Sequence, residues 1–155
     1  MEKKKYWLMK SEPDTFSIDD LAKNKKTLWD GVRNYQARNF MMKEMSPGDE
    51  VLFYHSNAQP PGVAGLAKIS KKAVPDPTSF DKNSPYYDEK SSKENPRWFC
   101  VEVSFAKKFN HFVSLDEIKE NKKLKNMLVV KKGQRLSIQP ITPDEFKVLC
   151  QMGMR

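Results

Sequence analysis

Residues 50–69 read EVLFYHSNAQPPGVAGLAKI. Glu50 to His55 is a run of bulky and β-branched side chains of the kind that fill a strand. Ser56, Asn57 and Pro60-Pro61-Gly62 make a loop, because Pro and Gly fix or free φ where the chain must turn. Val63 to Ile69 is then the partner strand, with Gly65 marking a bulge or a close backbone approach. The pair predicts a β-meander.

Upstream, Pro47-Gly48 ends a helix that runs from Tyr35 to Met45 with Asn34 as its cap. Ser17 and Asp20 form an acidic variant of the capping box and open a short helix through Leu21 and Ala22. Its lysine-rich exit, Lys23 to Lys26, complements the helix dipole. Tyr6 to Met9 is a buried first strand whose end exposes Lys10, Ser11 and Glu12 before Pro13.

Downstream, residues 70–97 are poor in aliphatics and punctuated by Pro75, Pro77, Pro85 and Pro96, which reads as a long surface excursion. A strand follows from Trp98 to Phe105. Phe99, Val101, Val103 and Phe105 share one face, and Trp98, Cys100, Glu102 and Ser104 the other. Ser114 and Glu117 are a second capping box, Gln134 to Gln139 alternates with Leu136 and Ile138 inward, and Thr142-Pro143-Asp144-Glu145 starts a last helix. Short strands with short helices in no regular βαβ order predict one α+β domain over residues 1–155, built on a small barrel or curled sheet.

A chain of 155 residues can bury a real core, and 11% aromatics argue against disorder. The net charge of +8 favours a polyanionic partner. Cys100 and Cys150 have no CxxC spacing, and with only His55 and His111 beside them no zinc pattern can be built. Neither GxxxxGKS/T nor GxGxxG occurs, so no phosphate loop is expected. His55 and Ser56 are adjacent and point to opposite faces, which disfavours a relay between them. No cofactor and no metal are expected. The first apolar run is too short for a signal segment and nothing approaches membrane-spanning length. The expectation is a monomer in the cytoplasm, or in the nucleus of a eukaryote, without a membrane partner.

The chemistry concentrates in residues 28–39, LWDGVRNYQARN. An indole (Trp29), a turn at Asp30-Gly31, two guanidiniums (Arg33, Arg38) and the amides of Asn34 and Gln36 fall within a few positions. A packing helix does not need that mixture; a surface that holds a flat polar ring does. Trp98, preceded by Arg97 and off its strand's apolar face, is a second candidate, so that both indoles could sandwich a base across one cavity. Ser56 and Asn57 could read a base edge. Lys10, Arg33 and Arg38 could neutralise phosphate.

These motifs resemble the EVE domain family, in its thymocyte nuclear protein and bacterial types. The resemblance rests on residues 6–13 (YWLMKSEP), residues 29–39, Gly48-Asp49, residues 53–57 (FYHSN), Pro61-Gly62, Tyr86-Tyr87-Asp88, Pro96-Arg97-Trp98 and residues 135–140 (RLSIQP). It spans nearly the whole chain. It implies a PUA-like small mixed β-barrel with short flanking helices. It also implies non-catalytic recognition of a modified nucleobase, notably 5-methylcytosine and its oxidised forms, in DNA or RNA. Carried over residue by residue, it implies a ligand cleft of Lys10, Ser11, Glu12, Trp29, Arg33, Asn34, Tyr54, Ser56, Asn57, Arg97 and Trp98, with Arg38 at a phosphate. Met42-Lys43 departs from the family pattern, where a basic residue often stands one place earlier. The chain is expected to lack the basic N-terminal extension of eukaryotic members and so to resemble a bacterial member more. Two alternatives stand beside this reading. One is an ASCH-like hydrolase of modified nucleosides using Lys10 and Glu12. The other is a general RNA-binding module using the lysines at 119–125.

Overall fold

The structure, a computed structural model, describes residues 4–133 and 135–155. Six strands form one mixed sheet: β1 (Tyr6–Ser11), β2 (Lys26–Leu28), β3 (Glu50–His55), β4 (Gly62–Pro75), β5 (Phe99–Ser114) and β6 (Ile138–Ile141), in the order β2-β5-β4-β3-β1-β6. β3, β4 and β5 are the antiparallel meander. β1 lies between β6, antiparallel, and β3, parallel from Tyr6↔Glu50 to Ser11↔His55. A parallel pair requires a crossover, and here that is the whole segment from residue 12 to residue 49. It carries α1 (Ile18–Asn24), β2 and α2 (Tyr35–Asn39) across one face and brings residues 28–34 beside the end of β1.

Both faces of the sheet are buried. On β1 and β3, Trp7, Met9, Val51 and Phe53 enter one core, while Leu8, Leu52 and Tyr54 enter a second. α3 (Leu115–Glu120) and α4 (Pro143–Gly153) cover the second core through Ile118, Phe146 and Leu149. Each large side chain so buried stabilises by roughly 1.5–3 kcal/mol. At the start of β1 the Trp7 indole donates to the buried Asp49 carboxylate at 3.1 Å, which also accepts from the Lys5 amide at 3.1 Å and the Ser46 amide at 3.0 Å.

Local chemistry sets the helix starts as the sequence predicts. Ser17, Ser114 and Thr142 each cap a helix, with Asp20, Glu117 and Glu145 returning the bond, and Asn34 caps α2. Gly65 is a close approach, because a Cβ there would strike the Lys107 carbonyl.

Other expectations are corrected. The helix expected over Tyr35–Met45 is α-helical only to Asn39, and Phe40–Glu44 is a π turn closed by the Met45 amide on the Phe40 carbonyl at 2.9 Å. The wider turn keeps Met41 and Met45 in the core and lays Phe40 against Trp7. β4 runs six residues past Ile69, because the long β5 continues the ladder to Val74↔Cys100 and Pro75↔Phe99. The excursion is therefore only partly superficial: Asp76, Ser79 and Ser91 are buried in it. β6 covers Ile138–Ile141 rather than 134–139, with Leu136 and Ile138 buried; Gln134 lies outside the described residues. Cys100 is a buried free thiol and Cys150 a half-buried one. Among the described residues no ladder joins β2 to β6, no cluster of His, Cys, Asp and Glu could hold a metal, and no helix is long and apolar enough to cross a membrane.

His55 ends β3 with a capping role. Its Nε2 accepts the Ile18 amide at 3.1 Å, so the imidazole is neutral with its proton on Nδ1. Burial lowers its pKa from 6.5, with Lys108 adding to the effect and Asp19 opposing it. Those two charges form an ion pair at 2.8 Å, and the rings of Phe53 and Phe112 flank the imidazole. A depressed folded pKa means that the folded state binds fewer protons than the unfolded one. The contribution is therefore complete above about pH 6.5 and is lost as the pH falls through the folded value. The midpoint of urea unfolding should fall as pH is lowered from about 7 to about 5. His55→Gln should flatten that limb; an unchanged slope would contradict the capping role.

Candidate functional site

A cleft of about 570 Å³ opens where β1 ends. Lys10 and Ser11 line it from the end of β1 and Glu12 from just after it, Thr15 and Phe16 from the turn before α1, and Thr27 to Arg33 from β2 and the loop after it; Tyr86 and Ser137 complete the lining. The parallel pairing of β1 with β3 fixes one side, since the Ser56 amide donates to the Ser11 carbonyl at 3.0 Å. On the other side the Lys10 amide donates to the Ser137 carbonyl at 2.9 Å. The Ser11 hydroxyl turns back to the Phe16 carbonyl at 2.6 Å.

The loop from Trp29 to Arg33 is held by one buried carboxylate. Asp76 accepts from the Gly31 amide at 2.8 Å and from Arg33 Nη1 at 3.1 Å with one oxygen. Its other oxygen accepts from the Thr78 amide at 2.8 Å and the Thr78 hydroxyl at 2.6 Å. Burial pushes its pKa upward, but the bonds from Thr78, Gly31 and Arg33 outweigh burial and the net shift is downward. Gly31 has φ +79°, a left-handed conformation that glycine alone adopts without strain. Arg33 also grips the Tyr86 carbonyl through Nε at 3.1 Å and Nη2 at 2.6 Å.

Three charged residues border the cleft. The Lys10 ammonium lies 5.8 Å from the centre of the Tyr54 ring and makes no hydrogen bond or ion pair among the described residues; burial lowers its pKa. Asp30 has a raised pKa, first through burial and then through the charge of Asp76, with Arg33 opposing. Glu12 accepts from the Asn57 side-chain Nδ2 at 3.3 Å. One unpaired donor and two carboxylate acceptors beside an indole suit a flat ring with both a carbonyl and an exocyclic amine.

Of the residues singled out in the sequence, Lys10, Ser11, Glu12, Trp29 and Arg33 line this cleft together. Ser56 and Asn57 stand next to it through their bonds to Ser11 and Glu12. Tyr54 is buried in the second core, where burial pushes its hydroxyl up to about 12. Asn34 spends its side chain capping α2 at the Ala37 amide.

Trp98 is not brought to the cleft, and the sandwich of two indoles is corrected. Its indole donates to Asp88 at 2.7 Å and its ring stacks on Tyr35 at 4.8 Å, with the guanidiniums of Arg33 and Arg38 5.2 and 5.9 Å away. Arg97 pairs with the same Asp88 at 3.8 Å. Arg38 donates to the Arg97 carbonyl at 2.9 Å and to Asn39. These residues tie the end of the excursion to α2. Sequence reasoning missed Asp30 and Tyr86, which line the cleft, and Asp76, which anchors its loop. Asp30 and Tyr86 stood inside recognised motifs, whereas nothing near Asp76 announces a partner 43 residues away.

The EVE domain family model matches residues 5–152. Human thymocyte nuclear protein 1 is 48% identical over 95% of this chain and 73% of its own length. A solved protein from Leishmania major superposes with a TM-score of 0.92 at 47% identity, covering 97% of this chain and 95% of that one. The human THYN1 protein, solved in complex with DNA containing 5-methylcytosine, superposes with a TM-score of 0.89 at 45% identity, covering 97% and 98%. By sequence along almost its whole length, and by fold, the chain belongs to the EVE domain family.

Proposed function

We propose that the chain is a non-catalytic nucleic-acid-binding domain that takes one extruded, modified base of the 5-methylcytosine type into the cleft beside Trp29. The observation that carries this reading is the 570 Å³ cleft, with one unpaired ammonium and two carboxylates, in a chain 45% identical to a protein solved with 5-methylcytosine DNA. Lys10 donates to the base carbonyl, and Glu12 and Asp30 accept from the exocyclic amine, the contact that carboxylates make with cytosine. Ser11, Ser56 and Asn57 form the rim. Arg38 and Arg97 lie outside the cleft, where the flanking backbone would run. The accompanying fold reading is a PUA-like barrel formed by the curl of the six-stranded sheet, and the setting is a cytoplasmic monomer.

Titration with oligonucleotides that differ by one 5-methyl group tests the proposal. A methyl in an apolar slot contributes about 1 kcal/mol, roughly fivefold in Kd. The methylated strand should bind tighter by about that factor at low salt, and equal affinity would count against the proposal. A hydrolase would instead convert modified nucleosides, with turnover lost in Lys10→Ala.

A further inference from the structure

Three rings line the cleft, Phe16, Trp29 and Tyr86, and they differ in what they offer a ligand. Trp29 is only 8% exposed and packs edge-on to Phe53 at 5.6 Å, so most of its surface is already used. Tyr86 is 38% exposed. One side of its ring rests on Gly31, so closely that a Cβ there would stand 2.8 Å from two ring carbons. Its carbonyl is clamped by two nitrogens of Arg33, whose guanidinium Asp76 holds in turn. An exposed ring on a fixed backbone is what stacking requires, because little freedom remains to be lost on binding.

We infer that Tyr86 is the ring on which the base stacks, and that Arg33 is a positioning residue for Tyr86 rather than a ligand of phosphate. This rests on the base-binding reading above and assigns the aromatic contact within it. Trp29 closes the back of the cleft, and Tyr86, with the Arg33 guanidinium 5.7 Å from its ring centre, is the more exposed of the two rings. Arg33 acts through Tyr86: its fork fits the Tyr86 carbonyl and the Asp76 carboxylate together, which a point-like ammonium does not match.

A double-mutant cycle on binding of a 5-methylcytosine oligonucleotide tests this. Tyr86→Ala should weaken binding by roughly tenfold, with far-ultraviolet dichroism unchanged, and Tyr86→Phe should bind like the wild type. Arg33→Lys should weaken binding in the wild-type background and add little in the Tyr86→Ala background, because both changes remove the same contact. A folded Tyr86→Ala protein that binds like the wild type would overturn the assignment while leaving base binding intact. Equal losses from Arg33→Lys in both backgrounds would overturn the positioning role. A wild-type protein that binds no oligonucleotide would overturn the base-binding reading itself, and this assignment with it.

Discussion

Asp76→Ala is expected to lower the unfolding free energy by about 3 kcal/mol, the low end for breaking a buried pair. The carboxylate is fully buried, and four donors converge on it: the Gly31 amide, Arg33, and the amide and hydroxyl of Thr78. Removing it leaves the Arg33 guanidinium, whose side chain is 23% exposed, without its counter-ion. It also leaves the Gly31 amide, in a left-handed turn, without an acceptor. The partial exposure of Arg33 is why the low end applies. Urea unfolding measures the loss. Asp76→Asn keeps the shape and removes the charge, so it should fall between the wild type and alanine. The folded pKa of Asp76 is depressed below 3.8, so its contribution is present above that value and lost as the pH falls through the folded one. Asp76→Asn should therefore soften the acid limb of unfolding. An Asp76→Ala protein as stable as the wild type would mean that the loop from Trp29 to Arg33 stands without its anchor.

Trp29→Ala is expected to act on stability and binding together. The indole is nearly buried in the first core against Phe53, and removing such a side chain costs about 3–5 kcal/mol, a large share of a typical domain's total. The cleft would lose its back wall, and binding of a methylated oligonucleotide should disappear. Trp29→Phe separates the two effects. It keeps an aromatic ring against Phe53 and should fold, yet it leaves part of the wall unfilled, so thermal unfolding and titration on one sample would show a small stability loss beside a clear loss of affinity. Full affinity in a folded Trp29→Phe protein would place the ligand elsewhere.

What could be read from the sequence was what neighbouring residues decide among themselves. The caps at Ser17, Asn34, Ser114 and Thr142 were legible because the donor and acceptor lie three residues apart. The span of β3 was legible because six bulky residues end in a Pro-Gly loop. The far half of β4 was not, since Ser70, Lys71 and Lys72 break the apolar run, Pro75 closes it, and strand form comes from the ladder of β5. The candidate site divides in the same way. Lys10 to Glu12 and Trp29 to Arg33 were recognisable as segments, but the use of each side chain depends on distant partners. Arg33 and Arg38 read as cations that could neutralise phosphate or pair with a nearby acid, and the fold commits them to Asp76, to the Tyr86 and Arg97 carbonyls and to Asn39. Trp98 read as the first residue of a strand ending at Phe105 and off its apolar face; β5 instead runs Phe99–Ser114, and Trp98 lies just before it, covered by Tyr35 and Asp88.

The three tryptophans supply the most direct measurement. Their indole N–H signals can be followed by nuclear magnetic resonance while an oligonucleotide bearing one 5-methylcytosine is added. The Trp7 indole is bonded to Asp49 and the Trp98 indole to Asp88, and neither lines the cleft, so both should move little. The Trp29 signal should shift strongly and saturate with the binding curve. A Trp29 signal that stays in place while the oligonucleotide binds would contradict the cleft as the site of recognition.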